Sequence, residues 1–404
     1  MQTNLTQAMR NSREGIEAEN ILRKCVHCGF CTATCPTYQV LGDELDGPRG
    51  RIYLIKQVLE GVEPGTDTQQ HLDRCLTCRN CETTCPSGVE YGRLLDIGRQ
   101  MVDQRVQRPA SQRLARLVLR KVLASATVFT PLLRIGQLFR PLLPPMLKQK
   151  IPPHQAQRAW PDSQHPRRML VLDGCVQPGL APSTNTAAAR ILDRLGIRLL
   201  RIRESGCCGS LSQHLSAPDE ALDFARANID AWWPHIETGA EAIVITASGC
   251  GVFVKEYGQL LALDPDYADK AATVSRLTRD IAEILSDEDL SSLPRPSARR
   301  VAWHPPCTLQ HGQKVVGNVE SILGAMGLTL TTVENSHLCC GSAGVYSVLH
   351  PEMGQTLGQN KLAALESDQP DVIVTANIGC QMHLSQNASQ PVRHWIELLA
   401  DGIS

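Results

Sequence analysis

A run of four cysteines closed by proline occurs twice in this chain, the copies 50 residues apart, and it limits what the N-terminal part can become. The first copy is Cys25-Val-His-Cys28-Gly-Phe-Cys31-Thr-Ala-Thr-Cys35-Pro36. The second is Cys75-Leu-Thr-Cys78-Arg-Asn-Cys81-Glu-Thr-Thr-Cys85-Pro86. Both read C-x2-C-x2-C-x3-C-P, the spacing that holds a cubane [4Fe–4S] cluster. Three closely spaced thiolates curl around one corner of a cube, so a single short loop holds three irons. The fourth cysteine lies beyond that loop's reach and points at the other cluster. On this pattern Cys25, Cys28, Cys31 and Cys85 hold one cluster, and Cys35, Cys75, Cys78 and Cys81 hold the second. Pro36 and Pro86 are expected to turn the chain away after the last ligand and stop it continuing as helix. Structural zinc sites instead present C-x2-C pairs from two separated segments, so the spacing favours two clusters. Arg79, Asn80 and His27, inside the loops, are candidate tuners of cluster potential or else solvated loop residues.

The chain has 404 residues, enough for two or three domains with hydrophobic cores. Its net charge of −1 argues for neither nucleic acid nor an acidic substrate. Sixteen cysteines in a chain of this size, with no apolar h-region in the first 20 residues, point to metal binding or redox chemistry and away from a disulfide scaffold. No signal peptide is expected. The longest uncharged apolar run, Val122 to Leu133, is too short to span a bilayer and contains Pro131, so no transmembrane helix is expected.

Residues 1–24 read as a short helix leading into the first cysteine loop. Between the loops, Ile52, Ile55, Val58 and Leu59 have helical spacing, with Gly61 and Pro64 as stops; YGRLLDIGRQMVDQRV reads as another amphipathic helix. Residues 1–100 are therefore expected to form a mainly α-helical, ferredoxin-like domain with two [4Fe–4S] clusters, close in pattern to subunits that receive electrons from flavoproteins. Residues 101–166 read as a basic, proline-rich helical linker: Arg99 to Arg168 carries 14 Lys or Arg against only Asp103 and Asp162. Leu114, Leu117, Val118, Val122 and Leu123 make one face of its helix apolar. Such a helix lies on anionic lipid, docks an acidic partner, or packs on its neighbours with a solvated basic face; the last is the commoner arrangement and the expected one.

The remainder is an internal repeat, expected as residues 167–297 and 298–404. Cys175, Cys207, Cys208 and Cys250 are matched by Cys307, Cys339, Cys340 and Cys380, at offsets of 132, 132, 132 and 130 residues. RRMLVLDGC pairs with RRVAWHPPC, ESGCCGS with SHLCCGS, and AIVITASGC with VIVTANIGC. Three short apolar β-runs per copy, separated by helices, predict parallel α/β units with strands covered on both faces. The cysteines then fall at the carboxyl ends of the strands, where open α/β sheets place ligands. Neighbouring side chains diverge on extended backbone, so Cys207-Cys208 and Cys339-Cys340 share a centre only on a tight turn, which Gly209 and Gly341 permit. Iron–sulfur, zinc, a redox thiol pair or buried structural cysteine all remain open for these eight residues.

The repeat resembles the CCG (cysteine-rich) domain, found in the B subunit of heterodisulfide reductase and in subunits of anaerobic glycerol-3-phosphate dehydrogenase and lactate-utilisation proteins. That resemblance implies an additional metal or iron–sulfur centre in the repeats. The motif of the reductase ends in C-x2-C, whereas these copies end in Cys250-Gly-Val-Phe253 and Cys380-Gln-Met-His383; His383 is the candidate replacement ligand. As a whole, through CVHCGFCTATCP, LDRCLTCRNCETTCPSGV, NIDAWW and SHLCCGSAG, the chain resembles the iron–sulfur subunits of bacterial glycolate oxidase. The resemblance implies a heteromeric complex in which two FAD-carrying partner subunits oxidise glycolate to glyoxylate and this chain passes electrons on, with quinone as the expected acceptor. It also implies a cytoplasmic protein held peripherally at the inner face of the inner membrane.

No GxGxxG follows a strand, and GxxxxGK[ST] and GxSxG are absent, so the flavin is expected on partners and not on this chain. The expected protein is a multidomain electron-transfer subunit, not catalytic by itself. The rivals are a catalytic reductase or quinone-reducing subunit with its centre in the CCG repeats, the matching subunit of a lactate or glycerol-3-phosphate dehydrogenase, and a scaffold whose clusters only stabilise the fold.

Overall fold

The computed structural model describes residues 1–144, 148, 150–156, 158–297 and 299–403. Helices Arg13–Lys24, Pro48–Leu59 and Tyr91–Arg105 build the N-terminal lobe around Leu22, Ile55, Leu59, Leu94 and Leu95. The first starts where Ser12 Oγ accepts the Gly15 N–H at 3.1 Å, and the second has Pro48 at its opening position, where a missing N–H costs nothing. Residues 1–24 form two helices, not one, because Asn11 and Ser12 interrupt the run with a cap. The third helix runs past residue 100 to Arg105, since Met101 and Val102 are still buried in this core. This is the helix that the spacing of YGRLLDIGRQMVDQRV predicts. Pro36 begins the helix Pro36–Leu41 instead of blocking helix; at that first position proline is a starter, and Cys35 serves as its cap.

The linker forms helices Ala110–Leu123 and Ala126–Phe139, bent 96° against each other. Its packing inverts the expectation. Arg116 pairs with Asp73 at 3.1 Å and Arg120 with Glu220 at 3.1 Å, so much of the charge faces protein. Leu114 is 61 % exposed, and Leu117, Val118, Leu132, Ile135 and Leu138 are exposed too. Two acidic partners on neighbouring elements set this rotation, and helical periodicity carries no trace of them. Among the described residues no single helix is long and apolar enough to cross a membrane.

Among the described residues two four-stranded parallel sheets follow. The first contains β1 (Arg167–Val171), β2 (Ile197–Arg201), β3 (Ile243–Ile245) and β4 (Thr278–Asp280) in the order β2-β1-β3-β4. The second contains β5 (Arg300–His304), β6 (Thr329–Leu330), β7 (Val372–Thr375) and β8 (Val392–His394) in the order β6-β5-β7-β8. The fourth strand of each repeat was not legible, because Thr-Arg-Asp and Val-Arg-His lack an apolar run. The two repeats share one core: Val171, Ile191 and Val244 of the first lie in the same cluster as Trp303, Val374 and Trp395 of the second. Ser248 N–H donates to Ala376 O at 3.1 Å, and His394 Nε2 donates to Thr246 O at 2.8 Å, so the carboxyl ends of the two sheets are stitched to each other.

A chain of cysteine sites

In both loops the same two positions adopt left-handed backbone: His27 (φ 56°) and Gly29 (φ 86°), then Thr77 (φ 53°) and Arg79 (φ 59°). Each such residue reverses the local curl, so three thiols of one loop face inward together. Cys25, Cys28, Cys31 and Cys85 line one small cavity; Cys35, Cys75, Cys78 and Cys81 line another, with Cys81 touching both. The last cysteine of each run has thus crossed to the other loop's cavity. Four thiols converging on each cavity suit a metal cluster. Burial pushes Cys31 up to about 11 and Cys78 and Cys81 well above the usual thiol range, so an unmetallated site stays protonated, whereas a metal removes those protons. Arg51, fully buried beside the second cavity, places a fixed positive charge next to a group of thiolates. It is held by His71 O at 2.7 Å, Thr37 Oγ1 at 3.2 Å and the buried Asp46 carboxylate at 3.4 Å.

Among the residues singled out in the loops, neither Arg79 nor Asn80 is a solvated bystander. Arg79 pairs with Glu256 of the first repeat. Asn80, 2 % exposed, donates from Nδ2 to Thr34 O at 3.1 Å and to His337 O at 3.2 Å, joining both loops to the second repeat. His27 sits at the rim of the first cavity with Nε2 buried and unpartnered among the described residues. Sequence reasoning missed Arg99, whose guanidinium donates to Leu72 O at 2.8 Å and Cys75 O at 2.7 Å and so fixes the start of the second loop.

In the repeats, β1 and β3, and likewise β5 and β7, are the central pair from which the chain departs in opposite directions. The loops after these strands carry Cys175 and Cys250, and Cys307 and Cys380, at the topological switch point of each sheet. The cysteine pairs follow the outer strands β2 and β6. Gly209 (φ 95°) and Gly341 (φ 86°) make the left-handed turn, and their N–H groups donate to Cys207 Sγ at 3.4 Å and to Cys339 Sγ at 3.5 Å. As a result the four thiols of each repeat form a continuous series: Cys175 to Cys207 to Cys208 to Cys250, and Cys307 to Cys339 (3.8 Å) to Cys340 to Cys380. His383 does not join the second series: the ring nitrogen within 4.8 Å of the Cys340 and Cys380 sulfurs belongs to His304, and His383 Nε2 is bonded to Gly354 O at 3.0 Å.

The second loop packs directly on the second repeat. Cys78, Cys339 and Tyr346 share one apolar cluster with Cys307 against it, and Tyr346 donates to Arg74 O at 3.0 Å. A cavity of about 880 Å³ opens where this loop, both sets of repeat thiols and the linker meet; Phe129, Leu133 and Ile151 roof it, and Arg99, Arg116 and Arg140 reach its wall. At the far end of the lobe, Cys28 is exposed, flanked by Val26 (68 % exposed) and Phe30 (61 %).

The 4Fe-4S dicluster domain family matches residues 21–89, and the cysteine-rich CCG domain matches residues 169–255 and 301–385. Fold and site together therefore define an iron–sulfur protein with paired CCG domains. The chain is 57 % identical over 404 residues to the glycolate oxidase iron-sulfur subunit of Escherichia coli K12, covering 100 % of this chain and 99 % of that one. It is 30 % identical over 397 residues to the probable glycolate oxidase iron-sulfur subunit of Bacillus subtilis 168, covering 91 % and 89 %. Lactate utilization protein A of Geobacillus thermodenitrificans is 26 % identical over 227 residues, 53 % of this chain and 90 % of that protein. The chain belongs to the family of glycolate oxidase iron–sulfur subunits.

Proposed function

We propose that this chain is the electron-transfer subunit of a glycolate oxidase complex, accepting electrons from FAD on two partner subunits that oxidise glycolate to glyoxylate, and delivering them to a quinone. The observation that carries this reading is the contact of Cys78 with Cys307 and Cys339, which makes one series of thiol sites from the exposed Cys28 to the central cavity. Two [4Fe–4S] clusters, when bound, supply one-electron storage at Cys25/Cys28/Cys31/Cys85 and at Cys35/Cys75/Cys78/Cys81. The residues around them fix position: Arg99 and Arg51 hold the second loop, while Asn80 and Tyr346 hold it against the repeat. Exposed Val26 and Phe30 beside the first site suit the flavoprotein contact. The eight repeat cysteines hold a further metal or iron–sulfur centre in each repeat.

Replacing Cys78 with Ser in the intact complex is expected to leave glycolate able to reduce the partner flavin while reduction of an external quinone stops. Undiminished quinone reduction, with the second cluster lost by iron count, would overturn the wire.

A second reading is favoured by the cavity itself: at about 880 Å³, bordered by both thiol sets and roofed by apolar side chains, it suits quinone reduction on this chain. The outward apolar face of the linker helices supports peripheral contact with the inner membrane, the source of such a quinone.

A further inference from the structure

The two CCG sites differ at the buried end of the first strand of each repeat. His304, the last residue of β5, is 1 % exposed, and its ring lies beside the second set of thiols. A nitrogen of this ring and the sulfurs of Cys340 and Cys380 all lie within 4.8 Å of one another. Nδ1 is engaged by Thr375 Oγ1 at 3.0 Å, across the β5–β7 register that pairs His304 with Thr375. Nε2 is buried and has no hydrogen-bond partner among the described residues. A buried imidazole nitrogen without a partner is an unmet demand, and a metal beside thiols satisfies it. With Nδ1–H donating to Thr375, the lone pair resides on Nε2, the tautomer a ligand requires. The aligned segments RRMLVLDGC and RRVAWHPPC put Leu172 at the corresponding place in the first repeat, and Ile245 corresponds to Thr375. Both are buried and apolar. The histidine and its hydroxyl partner are therefore present together in the second repeat and absent together in the first.

We propose that His304 is an imidazole ligand, through Nε2, of a metal centre held by Cys307, Cys339, Cys340 and Cys380, and that the centre of the first repeat is bound by thiolates alone. This rests on the reading of the repeat cysteines as metal ligands. The ring occupies the role that the sequence offered to His383, which does not lie in the group formed by His304, Cys340 and Cys380. The second-repeat centre is also the one touching Cys78.

The test uses the full chain, purified without oxygen, with iron and zinc counted in the wild type and in Cys340→Ala plus Cys380→Ala. Unchanged metal content in that double variant would show that the second-repeat thiols bind none, which removes the underlying reading and this proposal with it. A lower content keeps the reading and leaves His304 to be decided separately. Pulsed EPR is then compared between ordinary and [15N]histidine-labelled wild type, or, where the metal counted is zinc, absorption at the zinc edge is fitted for nitrogen against sulfur. The expected result is a directly coordinated histidine nitrogen that is lost in His304→Leu, with the cubane signals unchanged. His304→Asn, which keeps a polar partner for Thr375, gives the same loss if the leucine variant folds poorly. Absence of any coordinated nitrogen in the wild type, or its persistence in both variants, would overturn the assignment of His304 while leaving the thiol centre standing.

Discussion

Gly341→Ala isolates the geometric demand of the CCG turn. At φ 86° a side chain adopts left-handed backbone, at a cost of about 1–2 kcal/mol. A Cβ there would also sit 2.7 Å from Gly354 O and 2.8 Å from Leu357 Cβ, one of them backbone, so the helix Pro351–Glu366 must move. Overpacking of that kind adds about 1–3 kcal/mol, for a total of about 2–5 kcal/mol. Gly239→Ala is the control: its φ is 91° with nothing within 4 Å of the new Cβ, so only the strain of about 1–2 kcal/mol remains. Urea unfolding followed by tryptophan fluorescence reads the right part of the molecule, because Trp160, Trp232, Trp233, Trp303 and Trp395 comprise all 5 tryptophans and lie in or against the α/β body. With a slope of about 3 kcal/mol per molar, Gly341→Ala lowers the midpoint by about 0.7–1.7 M and Gly239→Ala by about 0.3–0.7 M. The alanine at 341 should also release metal from the second repeat, since it displaces Cys339 and Cys340. Equal midpoints for the two variants would refute the clash, and with it the claim that the turn is held from outside by the helix.

Three other outcomes are expected. Breaking the Arg79–Glu256 pair by Arg79→Ala should cost about 1.5–3 kcal/mol, and a double-mutant cycle with Glu256→Ala should return most of it as coupling; additive losses would mean that the pair does not join lobe to body. His394 accepts the Ile396 N–H at Nδ1 and donates to Thr246 O from Nε2, and burial lowers its pKa from 6.5 to about 4. The unfolded chain therefore binds a proton that the folded chain refuses, so stability present above pH 6.5 is lost as pH falls toward 4, by about 3 kcal/mol. Asp280, raised by burial from 3.8 to about 7, has the opposite slope throughout that range, so the quantity to measure is the difference between wild type and His394→Gln across urea titrations at several pH values; a difference independent of pH would refute the assignment. Leu138→Ser with Leu142→Ser should leave the urea midpoint unchanged, as these side chains are 75 % and 82 % exposed, yet abolish co-sedimentation with anionic vesicles; undiminished co-sedimentation would remove the linker face as the membrane contact.

What the sequence determined by itself is local. The spacing within Cys25–Cys35 and Cys75–Cys85 dictates which thiols share a loop, because a few intervening residues leave few conformations. The glycine after each cysteine pair announces a left-handed turn for the same reason, and the offsets of the repeat reveal two sheets of one design. Relations between segments were decided only by tertiary structure. Cys78 lies against Cys307 and Cys339 because Asn80 and Tyr346 bond across more than two hundred residues of chain, a distance over which no periodicity speaks. The linker turns its leucines outward because Asp73 and Glu220 stand on other elements to take its arginines. His304 was written in the repeat alignment as a histidine opposite a leucine, but that signal acquires meaning only when β5 and β7 pair in register. The pairing binds Nδ1 to Thr375 and leaves Nε2 unpartnered among the thiols.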